Sequence, residues 1–264
     1  MKSVFLAWQA PNRSWFPIGR LDADEKKHYE FGYTNGALQA KKEVGFSALP
    51  AFPDLRRRYE SAELFPLFRN RVLASNRKDF DEYLETLGLA DNDPMEILSL
   101  TGGERQTDSF EVFPKIEKRD DGSFACRFFL HGLRHVSEAA RERANSLKPG
   151  DKLGVSLELN NPKTKMAIQL TVREDYLILG WTPHYLVPDL LAAISEKPEV
   201  TAQVVRVNQN SVPPFRRILV EFGGKLPDKF ELMSSKQFQL IVDSKATAHQ
   251  KSTKSSTRRV RVRK

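Results

Sequence analysis

The stretch "SFACRFFLHGLRH", residues 123–135, decides how this chain is read. Phe124, Cys126 and Phe128 alternate with Ala125 and Arg127, the period-2 pattern of a half-buried strand. Two histidines then stand four apart around Gly132 and Arg134. On a helix His131 and His135 would share a face, but Gly132 opposes a helix there. On a strand they share a face about 13 Å apart, too far for one metal ion. No carboxylates cluster beside them to complete a ligand set, so no metal is expected. What remains is a strand followed by a turn that presents an arginine beside an imidazole. A guanidinium fork suits phosphate.

Downstream the pattern stays rich in strands. "SEAARERANSL" (137–147) reads as an amphipathic helix capped by Ser137. "KLGVSLEL" (152–159) and "MAIQLTV" (166–172) are strands joined by the polar turn "NNPKTK" (160–165), and "YLILGW" (176–181) is another. "TPHYLVPDLLAAIS" (182–195) reads as a helix with Thr182 as cap and Pro183 at its first position. "VTAQVVRV" and "FRRILVEF" form a strand pair across "NQNSVPP" (208–214). Short, closely spaced strands with few helices predict a small, strongly curved sheet or barrel.

Upstream, "SVFLAW" and "SWFPIGRL" are short strands, and "HYEFGYT" alternates Tyr29, Phe31 and Tyr33 with His28, Glu30 and Gly32. "GFSALPAFPDL" (45–55) holds two prolines and reads as a surface loop. Helical spacing follows in "SAELFPLFRNRVL" (61–73) after a Ser61 cap, in "RKDFDEYLETLGL" up to Gly88, and in "DPMEILSLTGG" (93–103). "SFEVFPKIEK" (109–118) is a strand, and the turn "RDDGS" starts something new. The expected class is α+β: a mixed N-terminal subdomain over 1–118, a small β-barrel-like domain with short helices over 119–243, and a tail over 244–264.

The 264 residues are 40% hydrophobic, enough for a real core. No apolar run approaches the roughly 20 residues that cross a bilayer. The opening "MKSVFLAWQAPNRSW" turns polar too soon for a secretory signal, so a cytoplasmic protein away from membranes is expected. The single cysteine, Cys126, excludes an intrachain disulfide framework and a multi-cysteine zinc site. Net charge is +8, and the tail from Lys245 carries eight Lys or Arg, among them Arg258, Arg259, Arg261 and Arg263, and no acid. Without it, 34 basic and 34 acidic residues balance. So polar and basic a tail reads as disordered, with a general attraction for nucleic-acid phosphate, duplex included. Phosphate loops, kinase signatures, a nucleophile elbow and H-E-x-x-H are all absent, so neither an enzyme nor a cofactor is expected.

Two ordered sets of motifs carry family resemblances. "IGRL", "YEFGY", "FSALP", "LFPLFRNRVL" and "DPMEILSLTGG" resemble, in that order, the N-terminal subdomain of HipA-like toxin kinases. The match spans about 1–118, with "VLAS" where the family tends to have Leu-Leu-Pro. The kinase core is absent, so the resemblance implies a module that docks such a kinase in trans. Within "SALPAFPDLRRRY", Phe52, Leu55, Arg56, Arg57, Arg58 and Tyr59 are the candidate contacts, because aromatics and arginines anchor interfaces.

Residues 120–230 resemble the HIRAN domain through "GLRH" (132–135), "NNPKTKMAI" (160–168), Gly180–Trp181 and Phe222 before "GGK". That resemblance implies single-stranded DNA binding, with a preference for a free 3′ end in the family. It places Arg134 on phosphate and His135, Trp181 and Phe222 as stacking rings, with Lys163, Thr164, Lys165 and His184 beside them. Lys163 and Thr164 replace the family's tyrosine and aspartate, which implies that end recognition is relaxed. Together the resemblances imply a non-enzymatic antitoxin or sensor subunit of a toxin–antitoxin or phage-defence system. The alternative is a DNA-repair or defence accessory that binds single strands and recruits a helicase or nuclease.

Overall fold

Alternation on a strand places its side chains, and the first sheet shows it plainly. In a computed structural model describing residues 1–193, 196–209 and 211–242, Tyr29, Phe31 and Tyr33 are all buried. They lie on β3 (Tyr29–Tyr33), which pairs antiparallel between β2 (Trp15–Ala23) and β4 (Tyr59–Ser61). With β1 (Lys2–Gln9) and β5 (Phe110–Pro114) the sheet order is β4-β3-β2-β1-β5.

One helix here escapes the sequence reading: α1 (Asn35–Val44). Its buried face is only Gly36, Ala37 and Ala40, too small to register as an apolar stripe. Small residues let it lie close on β2: a Cβ on Gly36 would run into the Pro17 carbonyl, to which the buried Thr34 hydroxyl also donates. Gly45, at φ +73, ends it in the left-handed conformation.

The helix expected over 61–73 is a single turn, α2 (Pro66–Arg69). Ser61 ends β4 instead of capping a helix, and its hydroxyl accepts from the Glu63 amide. Pro66 supplies no amide proton, so it opens the turn rather than continuing a helix. The next two helices form where expected: α3 (Phe80–Leu87), closed by Gly88, and α4 (Pro94–Thr101), whose Asp93 cap accepts from the Met95 amide.

The chain divides into two compact units, neither contiguous. Among the described residues, the first joins Met1–Arg69 and Glu104–Val112 to residues 235–242; the second joins Asn70–Gly103 to Phe113–Ser234. Helices α3 and α4 thus group with the second sheet. Phe80, Leu84, Leu87 and Ile97 cluster with Phe129 and Leu219, and the Asn208 amide donates to the Thr86 carbonyl.

That sheet holds β6 (Ser123–Phe129), β7 (Lys152–Asn161), β8 (Lys165–Val172), β9 (Ile178–Trp181), β10 (Glu199–Val207) and β11 (Ile218–Lys225), in the order β6-β11-β10-β7-β8-β9. Its pairings are antiparallel. It is a curled sheet rather than a closed barrel: an isolated bridge, His131–Trp181, ties the chain just past β6 to β9. Phe124, Cys126, Phe128 and Phe222 face inward, and burial pushes the Cys126 thiol up to about 12. Ser137 caps α5 (Glu138–Asn145) through the Ala140 amide. The helix expected to start at Thr182 begins later: Pro183 is extended, a 3-10 turn spans His184–Leu186, and α6 runs Val187–Ala193. Among the described residues no helix is long and apolar enough to cross a membrane.

Candidate nucleic-acid interface

The turn after β6 is built around glycine. Gly132 has φ +79, and a Cβ there would stand 2.5 Å from the Trp181 ring. Gly180, on the facing strand, has φ +155, and its Cβ would collide with the His131 carbonyl. Only glycine at both places lets the two backbones close the His131–Trp181 bridge, whose two hydrogen bonds measure 3.0 and 2.9 Å. Beyond it, the 3-10 turn Leu133–His135 buries Leu133 and leaves Arg134 and His135 exposed. The Arg134 Nε donates to His135 Nε2 at 2.9 Å.

Trp181 connects this turn to the β7–β8 hairpin. Its indole N–H donates to Glu158 at 2.6 Å, and the Asn161 amide donates to the same carboxylate oxygen at 3.0 Å. Asn161 Oδ1 in turn accepts from the amides of Lys163 and Thr164 and from the Thr164 hydroxyl, each at 3.0 Å. This is an Asx-type turn that fixes the hairpin end. The Asn161 bond, ahead of those from Trp181 and Gln169, holds the Glu158 carboxyl below its ordinary range against an opposing push from burial. A continuous set of contacts thus runs from Thr164 to Gly132. It brings Arg134, His135, Lys163, Thr164, Lys165 and Trp181 into one region, and it seats an acid, Glu158, among the bases. Trp181 is half-buried with Gly132 packed against its ring, so only part of the indole remains open to a ligand.

Two expected site residues change role. Phe222 is fully buried, paired across strands with Cys126 and Ala202, and packs with Phe124 and Phe128; it belongs to the core and offers no stacking surface. His184 is pushed down to about 4, by burial first and then by neighbouring His131, itself lowered by burial. At neutral pH it is therefore no cation for phosphate. Among the described residues no three His, Cys, Asp or Glu side chains come together as metal ligands. Arg258, Arg259, Arg261 and Arg263, like the rest of the tail, lie outside the described residues.

Sequence reasoning missed Phe215. It is 60% exposed on the 3-10 turn Pro214–Arg216, whose Cα atoms come within 8 Å of those of the Leu133–His135 turn. The Arg216 guanidinium lies 5.5 Å from the Phe215 ring centre and 5.1 Å from that of Tyr83. The signal was legible: an aromatic directly after Pro213 and Pro214 sits in a proline-fixed connection, where no strand face can bury it.

The expected partner contacts in the first unit separate in the same way. Phe52 is 1% exposed and stacks on Phe31 at 4.1 Å, so it is core. Arg58 is committed to Glu30 and Asp22. Tyr59 and Leu55 are half-buried, while Arg56 and Arg57 are exposed.

No described protein family matches the chain, and no curated protein matches it. Two solved structures are similar to parts of it. A protein from Lactobacillus plantarum, a structural-genomics target, aligns at a TM-score of 0.30 and 15% identity, over 39% of this chain and 99% of that one. The HIRAN domain of human HLTF aligns at a TM-score of 0.28 and 17% identity, over 42% of this chain and 79% of that one. At these scores they are likenesses of parts, and function has to be read from the residues.

Proposed function

We propose that the second unit is a single-stranded DNA-binding module and that the chain acts by binding rather than by catalysis. The observation that carries this is that the turn bearing the exposed Phe215 ring comes within 8 Å, Cα to Cα, of the turn bearing exposed Arg134 and His135, so that a stacking platform and a phosphate ligand are offered by neighbouring turns. Exposed Lys163 and Lys165 on the linked hairpin, and the basic residues from Lys245 onward, add attraction for phosphate. The motif order shared with HIRAN domains agrees with it. The finer role, an antitoxin or sensor subunit docking a HipA-like kinase through the first unit, rests on motif order alone. After the burial of Phe52 and Arg58, its contact would fall on Arg56, Arg57 and their surroundings.

The test is fluorescence anisotropy of a labelled single-stranded oligonucleotide with the full chain and with Phe215→Ala. Loss of about 1–3 kcal/mol in affinity is expected, the scale of one base stacked on an aromatic ring. An unchanged melting temperature would place the loss in binding. Equal affinity for both proteins would remove Phe215 from the interface.

A further inference from the structure

On β7 and β8 one face of the hairpin is apolar at every second position: Leu153, Val155 and Leu157 opposite Val172, Leu170 and Ile168. Leu153 and Val172 are buried, as are Leu170 and Ile168. Past Glu158 the register shifts, and there two apolar side chains stand exposed. Leu159 is 64% exposed and Met166 41%, at the end of the hairpin. A strand pair that only needed to close the core would turn polar at this point, since an exposed aliphatic pair gains nothing from burial. Exposed Lys163 and Lys165 flank the pair, and Lys165 sits at φ +65, an uncommon conformation for a lysine. The turn between them is fixed by Asn161 and tied through Glu158 to Trp181 and the Arg134 turn.

We propose that this hairpin end is a wedge that seats against the last base pair where a duplex gives way to an unpaired strand. Leu159 and Met166 cover the open face of that base pair, and Lys163 and Lys165 take the flanking phosphates. Aliphatic side chains are the usual wedges at base steps, and a base pair left at a strand junction exposes the flat apolar surface they would cover. The charge of the two lysines favours a polyanion. The basic residues from Lys245 onward carry the wrong sign to cover it. The proposal rests on the DNA-binding reading and narrows its substrate to junctions.

The experiment compares the full chain with a Leu159→Ser/Met166→Ser double variant on two probes: a single-stranded oligonucleotide, and the same strand with half its length paired. The wild type is expected to bind the half-paired probe about tenfold more tightly, the equivalent of one stacking contact. The double variant should lose that preference, keep its single-strand affinity, and melt like the wild type. If the wild type binds the single strand but shows no preference for the junction, the wedge is overturned while the DNA reading stands. A preference that survives in the double variant also overturns it and leaves the apolar pair to a protein partner. Binding of neither probe sinks the DNA reading itself.

Discussion

Two stretches of this chain look alike as sequence and behave in opposite ways. "AFPDLRRRY" in the first unit and "PPFRR" in the second each place an aromatic near proline and arginine. In the first, Phe52 stacks in the core and Arg58 is locked between Glu30 and Asp22. In the second, Phe215 stands in solvent with Arg216 against its ring. What differs is the neighbour. The first loop crosses a sheet face already lined by Phe31 and Tyr33, which leave an apolar gap that Phe52 fills. The second is a short proline-fixed turn with no such gap. Interface composition is therefore weak evidence until something shows what the ring packs against.

Phe52→Ala gives the largest effect. It removes a ring that packs on Phe31, Tyr59 and Phe65, and a loss of about 3–5 kcal/mol is expected in urea unfolding. Phe215→Ala should shift the same curve by less than about 0.5 kcal/mol. Equal losses at the two positions would break the contrast.

The two units also hold buried titratable groups of opposite sense. In the first, burial and then neighbouring Glu104 raise Glu111 to about 8. Its folded value lies above its unfolded 4.5, so the folded state binds the extra proton, and stability falls as pH rises from about 4.5 to 8. His184, lowered from 6.5 to about 4, is the reverse: its stability is present above pH 6.5 and is lost as pH falls toward 4. Each slope can reach about 1.4 kcal/mol per pH unit. Difference curves against Glu111→Gln and His184→Gln should separate the two windows. A Glu111→Gln curve parallel to the wild type across pH 5–8 would show that this carboxyl ionises freely.

Gly180→Ala comes next. Its Cβ would meet the His131 carbonyl at a φ that alanine resists, so about 1–3 kcal/mol of stability should be lost. Arg134 would lose its anchor as well, and DNA affinity should drop with it. A stable variant that binds normally would show that the bridge does not position the site.

The elements most legible in the sequence were those with strong periodicity and a cap. β3 alternates aromatics with small or charged residues, and α4 has aspartate and proline at its start and glycine at its end. α1 was not legible, because it buries only glycine and alanine and owes its place to contact with Pro17. The assumed Ser61 and Thr182 caps failed because a cap residue also suits a strand end or an extended turn, and only the later backbone decides. Grouping by sequence order hid the packing of α3 and α4 on the second sheet, which depends on Phe129 and Leu219, contributed from far along the chain. At the site, glycine spacing around His131 was informative. Phe222 was misplaced because its stacking role came from motif order around "GGK" alone; the strand register, which pairs it with Cys126, turns it inward.

The smallest expected effect separates two exposed arginines. Arg57 lies 5.4 Å from the centre of the Tyr59 ring, and Arg134 donates to His135. Neither is buried, so Arg57→Ala and Arg134→Ala should each leave stability within about 0.5 kcal/mol of wild type. They should differ only in salt dependence. A lysine or arginine that neutralises one phosphate of a single strand contributes about −0.7 to the slope of log affinity against log salt. Arg134→Ala should flatten the slope by about that amount, and Arg57→Ala should leave it unchanged. The measurement is best made on a chain lacking residues 245–264, whose eight basic residues would add a large slope of their own. Equal flattening by both variants would show that the chain attracts nucleic acid through its general charge. An effect confined to Arg134 would assign the contact to the turn that follows Gly132.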